Sequence, residues 1–197
     1  MYLNFFGLRE APFNNTPTPR FFFSTPEHDE ALACLIYVVR ESKGLALLTG
    51  EAGTGKTLVS RMLVAHFGGS ATFAAIHQGC TSPADLLEAI CAEFGVEVEP
   101  GSGRGTLIKA LQDFLVTEFA ANRSVVLVVD EAQNLSVECF EQIRMIGNLD
   151  AEDAKLLHVI LLGQPELHSV IRSPRLRQLR QRVFRGFHLK ALTLQQT

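Results

Sequence analysis

The run "LALLTGEAGTGKTLVSRML", Leu45–Leu63, constrains the fold of this chain more than any other stretch. An apolar segment with strand character leads straight into Gly50-Glu51-Ala52-Gly53-Thr54-Gly55-Lys56-Thr57, and a helical pattern follows. The loop satisfies G-x-x-x-x-G-K-[ST] in the strand–loop–helix context that the motif's mechanism requires. Its glycines let the backbone turn tightly, so that successive N–H groups and the positive end of the next helix face the α- and β-phosphates of a nucleotide. The predicted binding stretch runs from Gly50 to Leu58. Lys56 supplies the charge that reaches the β- and γ-phosphates, and the Thr57 hydroxyl is a ligand for Mg²⁺.

Beyond this loop the chain alternates. Leucine-rich or β-branched runs at 45–49, 71–77, 124–130, 156–162 and 183–189 are separated by helical patterns near 56–67, 83–95, 105–121, 136–148 and 165–181. That rhythm predicts an α/β three-layer sandwich, a parallel five-stranded sheet with helices on both faces. Thr25 with Pro26, Ser82 with Pro83, and Leu135-Ser136 read as helix starts, and Gly44 as a stop. The strand "SVVLVVDEAQ", Ser124–Gln133, ends in two acids at the carboxyl edge, where ligands bind in such sheets. Asp130 is there the expected Mg²⁺ partner and Glu131 the candidate base for an attacking water. The expected organisation is a Phe/Pro-rich strap over residues 1–25, a nucleotide-binding core over 26–190, and at 191–197 the opening of a C-terminal lid that this sequence does not carry.

Composition narrows the class. With 47% apolar and 20% charged residues in 197, the chain can bury one sizeable core. No apolar run approaches the ~20 residues of a membrane span, and the N-terminus lacks a basic-then-apolar leader, so a cytoplasmic location is expected. Cys34, Cys80, Cys91 and Cys139 are scattered without metal spacing and read as free thiols, and His77 and His158 as structural. The net charge of -3 hides an asymmetry: residues 1–166 hold 11 Lys+Arg against 21 Asp+Glu, whereas 167–197 hold 7 against none. Such a basic tail is either a solvated helix face, a set of cations for a neighbouring subunit's nucleotide, or a nucleic-acid contact.

On "MYLNFFGLREAPF", "GEAGTGKT", "VVDEAQNLS", "LLGQPEL" and "LRQLRQR", the sequence resembles the AAA+ P-loop ATPases of the general secretion pathway protein A (ExeA-type) family, including its pilus-biogenesis relatives. The resemblance implies an enzyme that hydrolyses ATP with Mg²⁺ and forms a homo-oligomer with nucleotide. It also implies envelope assembly proteins as partners, and in a longer protein a tether to the inner membrane. Gln164 becomes a sensor-like group at the γ-phosphate, against the simpler reading of a cap on the Pro165 helix. Gln78 is a candidate restraint on Glu131, against a plain surface amide. Arg182 becomes an arginine finger offered to the next subunit, with Arg177 and Arg180 as rivals. A DNA-associated ATPase of the transposition-helper type shares these motifs and stands as the alternative, with DNA as partner.

Overall fold

The computed structural model describes residues 2–7, 23–77, 80–151 and 154–193. In chain order these form α1 (Tyr2–Phe5), α2 (Pro26–Arg40), β1 (Leu45–Gly50), α3 (Lys56–Phe67), β2 (Ala71–Ile76), α4 (Pro83–Glu93), α5 (Arg104–Ala120), β3 (Ser124–Val129) and α6 (Val137–Ile146). A small hairpin, β4 (Asp150–Ala151) and β5 (Ala154–Lys155), precedes β6 (Leu157–Gly163), α7 (Glu166–Arg172), α8 (Arg177–Arg182) and β7 (Val183–Leu189).

Strands buried on both faces read as continuous apolar runs, and β1 and β6 do so because every one of their residues is buried. The five long strands pair in parallel in the order β2-β3-β6-β1-β7. Successive side chains alternate between faces. Leu45, Leu47, Val125, Leu127, Val159 and Leu161 pack with α4, α5, α6 and the α7–α8 region, while Ala46, Leu48, Val126, Val128, Ile160 and Leu162 pack with α2 and α3. Two cores thus clamp one sheet, which is the predicted three-layer α/β sandwich. Each fully buried leucine in it is worth roughly 1.5–3 kcal/mol over exposure.

The predicted helix starts carry their caps: the Thr25, Ser82 and Ser136 hydroxyls accept from the backbone N–H of His28, Asp85 and Cys139. Two expectations fail. The helix expected over 165–181 is broken at Ser173-Pro174, where Ser173 is extended (φ −56, ψ 146) and Pro174 begins a short 3-10 turn. Proline has no N–H to continue the ladder and pushes the residue before it out of helical geometry. The β4–β5 hairpin was not anticipated either, since its residues carry neither β-branched nor aromatic side chains. Of the strap expected over 1–25, residues 8–22 lie outside the described residues, as do 194–197 of the expected lid opening; 190–193 form no regular element.

Two buried ionisable groups make stability depend on pH. His158, on the α2–α3 face of β6, is 2% exposed, its Nδ1 has no hydrogen-bond partner among the described residues, and burial pushes its pKa from 6.5 down to about 4. Arg123 and the Thr72 hydroxyl both donate to the buried Glu118 and hold it at about 2 instead of 4.5. The unfolded chain therefore binds a proton at His158 near pH 6.5 that the fold refuses until about pH 4. Stability from this group is complete above pH 6.5 and falls as pH drops toward 4, by up to about 3 kcal/mol. The Glu118 contribution is lost separately, between pH 4.5 and 2. Thermal unfolding of His158→Met should be flatter than the parent between pH 6.5 and 4 and unchanged in its slope below; parallel curves through both windows would remove His158 from this role.

Candidate active site

Because all five strands run the same way, their carboxyl ends share one edge, and the motif residues gather there. Gly50 closes β1, Glu51, Ala52 and Gly53 form the exposed tip of the loop, Thr54 is buried, and Lys56, Thr57 and Leu58 lie in the first turn of α3. Gly55 caps that helix in the left-handed region at φ 89, which an L side chain resists. A Cβ there would also stand 3.0 Å from His28 Nε2.

His28 is a member of the site that spacing did not reveal. It sits in the first turn of α2, buried, with Nε2 2.9 Å from the Thr54 carbonyl and Nδ1 2.7 Å from Thr25 Oγ1. A carbonyl only accepts, so Nε2 carries a proton and donates to it. The start of α2 is thereby tied to the middle of the loop. Below the loop, the fully buried Thr49 hydroxyl lies 2.8 Å from His168 Nε2 and 3.1 Å from His188 Nδ1, joining α7 and β7 to β1. Burial, Arg172 and His188 together hold His168 below its ordinary pKa.

Lys56 is buried and its Nζ donates to the carbonyls of Gly50 (2.8 Å) and Glu51 (2.9 Å). The ammonium therefore lies inside the curve of the loop. From the neighbouring position Thr57 Oγ1 donates to Asp130 Oδ2 at 2.8 Å, which joins the loop on β1 to the acidic end of β3 two strands away. Asp130 itself is 8% exposed, and its N–H extends the β2–β3 ladder by donating to Ile76 at 2.8 Å. His77, expected to be structural, stands with Nδ1 3.9 Å from Asp130 Oδ2. Gln78 lies outside the described residues.

Glu131 adopts φ 49, ψ 39, a left-handed conformation that costs a non-glycine residue of order 1 kcal/mol or more. The bonds around it hold it there. Its N–H donates to Asp130 Oδ1 at 2.9 Å, and its Oε2 accepts from the side-chain amides of both Gln133 and Gln164, the latter at 3.4 Å. Gln133 Oε1 in turn accepts the backbone N–H of Gln164 at 3.2 Å. The structure thus brings Lys56, Thr57, Asp130, Glu131 and Gln164 to one edge. It leaves Arg182 out. Arg182 precedes β7, whose first residue pairs with Leu45 at the amino end of β1, roughly 17 Å of strand away from Gly50. There it lines a small apolar cleft with Lys43, Leu45, Arg144, Leu157 and Leu179. Of its rivals, Arg180 donates to the Arg172 carbonyl at 3.2 Å and Arg177 is exposed at the start of α8.

A parallel sheet with a lysine-bearing phosphate loop and an Asp-Glu strand end defines a class, and residues 39–171 match the AAA domain family, to which the chain belongs. Over 195 residues, 99% of its length, it is 43% identical to the General secretion pathway protein A of Aeromonas hydrophila, and it spans 36% of that protein. The Aeropyrum pernix ORC2 protein, solved in ADPNP–ADP complexes, has the same fold at a TM-score of 0.70 and 15% identity, over 95% of this chain and 52% of its own. Cdc6p of Pyrobaculum aerophilum follows at 0.69 and 17%, over 94% and 50%. The Aeropyrum pernix ORC1 protein in complex with DNA gives 0.61 and 20%, over 88% and 47%. The expected AAA fold and the kinship with the secretion protein are both borne out.

Gly163 makes the junction between Gln133 and Gln164 possible. A Cβ there would lie 2.6 Å from Gln133 Oε1 and 2.7 Å from Leu167 Cδ2, distances that force a neighbour to move. Gly163→Ala should therefore destabilise the protein by about 1–3 kcal/mol in urea titration, although the residue is a strand position where alanine is otherwise tolerated. An unchanged urea midpoint would contradict the close packing of this corner.

Proposed function

We propose that this chain binds and hydrolyses ATP at the carboxyl edge of its sheet, as an oligomerising switch or motor in the assembly of a bacterial secretion or pilus system. The observation that carries the reading is the Thr57–Asp130 hydrogen bond, which unites the phosphate loop and the acidic strand end in one site. A hydroxyl and a carboxylate, both hard oxygen donors, suit Mg²⁺, which keeps most of its waters and takes few protein ligands. No cluster of three or more His, Cys, Asp or Glu side chains competes for a metal among the described residues. Thr57 and Asp130 would hold the ion that arrives with ATP, and that ion supplies charge neutralisation at the phosphates.

The roles of the protein groups follow from their places. Lys56 exchanges its loop carbonyls for the β- and γ-phosphate oxygens. Glu131 takes a proton from water as the water oxygen bonds to the γ-phosphorus; the bond from that phosphorus to the bridging oxygen breaks, and ADP leaves with the electron pair. Gln164, beside Glu131, orients the water or touches the γ-phosphate. The envelope role draws on the kinship with General secretion pathway protein A. On the same kinship we place this domain on the cytoplasmic side; among the described residues no helix is long and apolar enough to cross a membrane. The second reading, a DNA-associated ATPase, draws on the seven cations after residue 166 and on a neighbour solved with DNA.

Two substitutions separate binding from turnover. Lys56→Ala should abolish most Mg·ATP affinity in calorimetric titration, whereas Glu131→Gln should keep ATP bound and slow phosphate release, by about 10²-fold or more. Parent-like turnover in Glu131→Gln would take the base role from Glu131.

Arg182, a strand length from its own loop, acts on the nucleotide of a neighbour. Arg182→Ala should leave ATP affinity intact and cut assembled turnover by a factor on the order of 10³. Mixed with Lys56→Ala, it should recover activity that neither variant shows alone, because each supplies what the other lacks. Failure of the mixture, together with salt-dependent DNA binding that Arg172, Arg175 and Arg177 sustain, would favour the second reading.

A further inference from the structure

The amide of Gln133 occupies a position that neither the motif nor the nucleotide explains. It lies on the 3-10 turn Ala132–Asn134, directly after Glu131. Ala132 is fully buried and Leu135 nearly so, which pins the turn on both sides of Gln133 to the core beneath α6 and α7. The side chain therefore leaves a fixed piece of backbone. It makes two hydrogen bonds of opposite sense, from Nε2 to Glu131 Oε2 and from the Gln164 N–H to Oε1 at 3.2 Å. The opposite senses also fix the orientation of the amide, because a flipped group would set oxygen against carboxylate and NH₂ against N–H. Gly163 is bare at the point where Oε1 comes closest.

We propose that Gln133 is the positioning residue of this site, holding the Glu131 carboxylate and the end of β6 in one hydrogen-bonded unit so that the base faces the water with Oε1. The inference rests on the reading of Glu131 as the general base. Oε2 is taken by the two glutamine amides, and Oε1 has no hydrogen-bond partner among the described residues. The carboxylate is thus held against rotation with one oxygen engaged and the other available to take the proton. Gln164 enters the same unit twice, through its backbone N–H to Gln133 and its side-chain amide to Glu131. Gln133 touches neither the reacting atoms nor the phosphate loop, so its loss disturbs the geometry of proton transfer and leaves ATP binding alone.

The test uses the full chain and three variants. Gln133→Ala should lower kcat by about tenfold with ATP affinity within twofold of the parent, the pattern of an interaction that matters only in the transition state. In a Glu131→Gln background the same substitution should lower kcat no further, because the group it positions has already lost its function. Gln133→Met keeps the length of the side chain without its amide if alanine perturbs folding, and it should show the same loss of kcat at parent-like ATP affinity. A parent-like kcat for both Gln133→Ala and Gln133→Met, or an equal loss in the Glu131→Gln background, would overturn the proposal. Parent turnover in Glu131→Gln alone would instead overturn the base reading beneath it.

Discussion

Parallel pairing is the constraint on which the rest of this structure depends. Strands in a parallel sheet must be joined by crossovers, and the crossovers cover both faces, so β3 and β6 can be made mostly of leucine, valine and isoleucine and β1 can be buried along its whole length. The same rule puts the end of every long strand on one edge. Thr57, Asp130 and Gln164 come from three separate strand–helix units and still meet, because each unit delivers its last strand residue to the same place. The two cores need not match in size for this to work. One takes α4, α5, α6, α7, α8 and the turn between the last two, and the other only α2 and α3.

The strands were legible from sequence almost to the residue because apolar runs of this kind have few other uses and are bounded by polar or glycine-rich breaks. The helix caps at Thr25, Ser82 and Ser136 were legible for a local reason, since a cap bonds within three residues of itself. The phosphate loop and the Asp130-Glu131 pair could be read because their chemistry fixes both residue type and spacing. What escaped was long-range or overridden. His28 reaches a carbonyl 26 residues away, and no local pattern announces that. Gln133 stood in a quoted motif, yet its oxygen is engaged by the backbone of Gln164, 31 residues on. The break at Pro174 was signalled by the proline itself, which the helical periodicity on either side obscured.

The site is held by opposing demands. Glu131 sits in a left-handed conformation that its own side chain disfavours, and it stays there because Asp130 takes its N–H and two amides take its carboxylate. Asp130 in turn divides its oxygens, Oδ1 to the Glu131 backbone and Oδ2 to Thr57. The loop, the acids and the end of β6 therefore form one connected set of hydrogen bonds, and a ligand that takes Thr57 from Asp130 acts on a carboxylate that also holds the backbone of Glu131. His28 adds a second tie, from the loop to the start of α2.

The separation of Arg182 from the phosphate loop also bears on symmetry. The loop lies at the carboxyl edge of β1 and Arg182 at its amino edge, so under the trans role proposed for Arg182 the giving and receiving surfaces of one molecule lie at opposite ends of the strand. A two-fold pair places the same surface on both partners, and such a pair would leave one of the two edges of each molecule unmatched. Under that proposal the contact that satisfies both is head-to-tail, with each copy giving at one edge and receiving at the other, and such a series either closes into a ring or continues as a helical filament. Whether such a series closes is set by the rotation from one neighbour to the next.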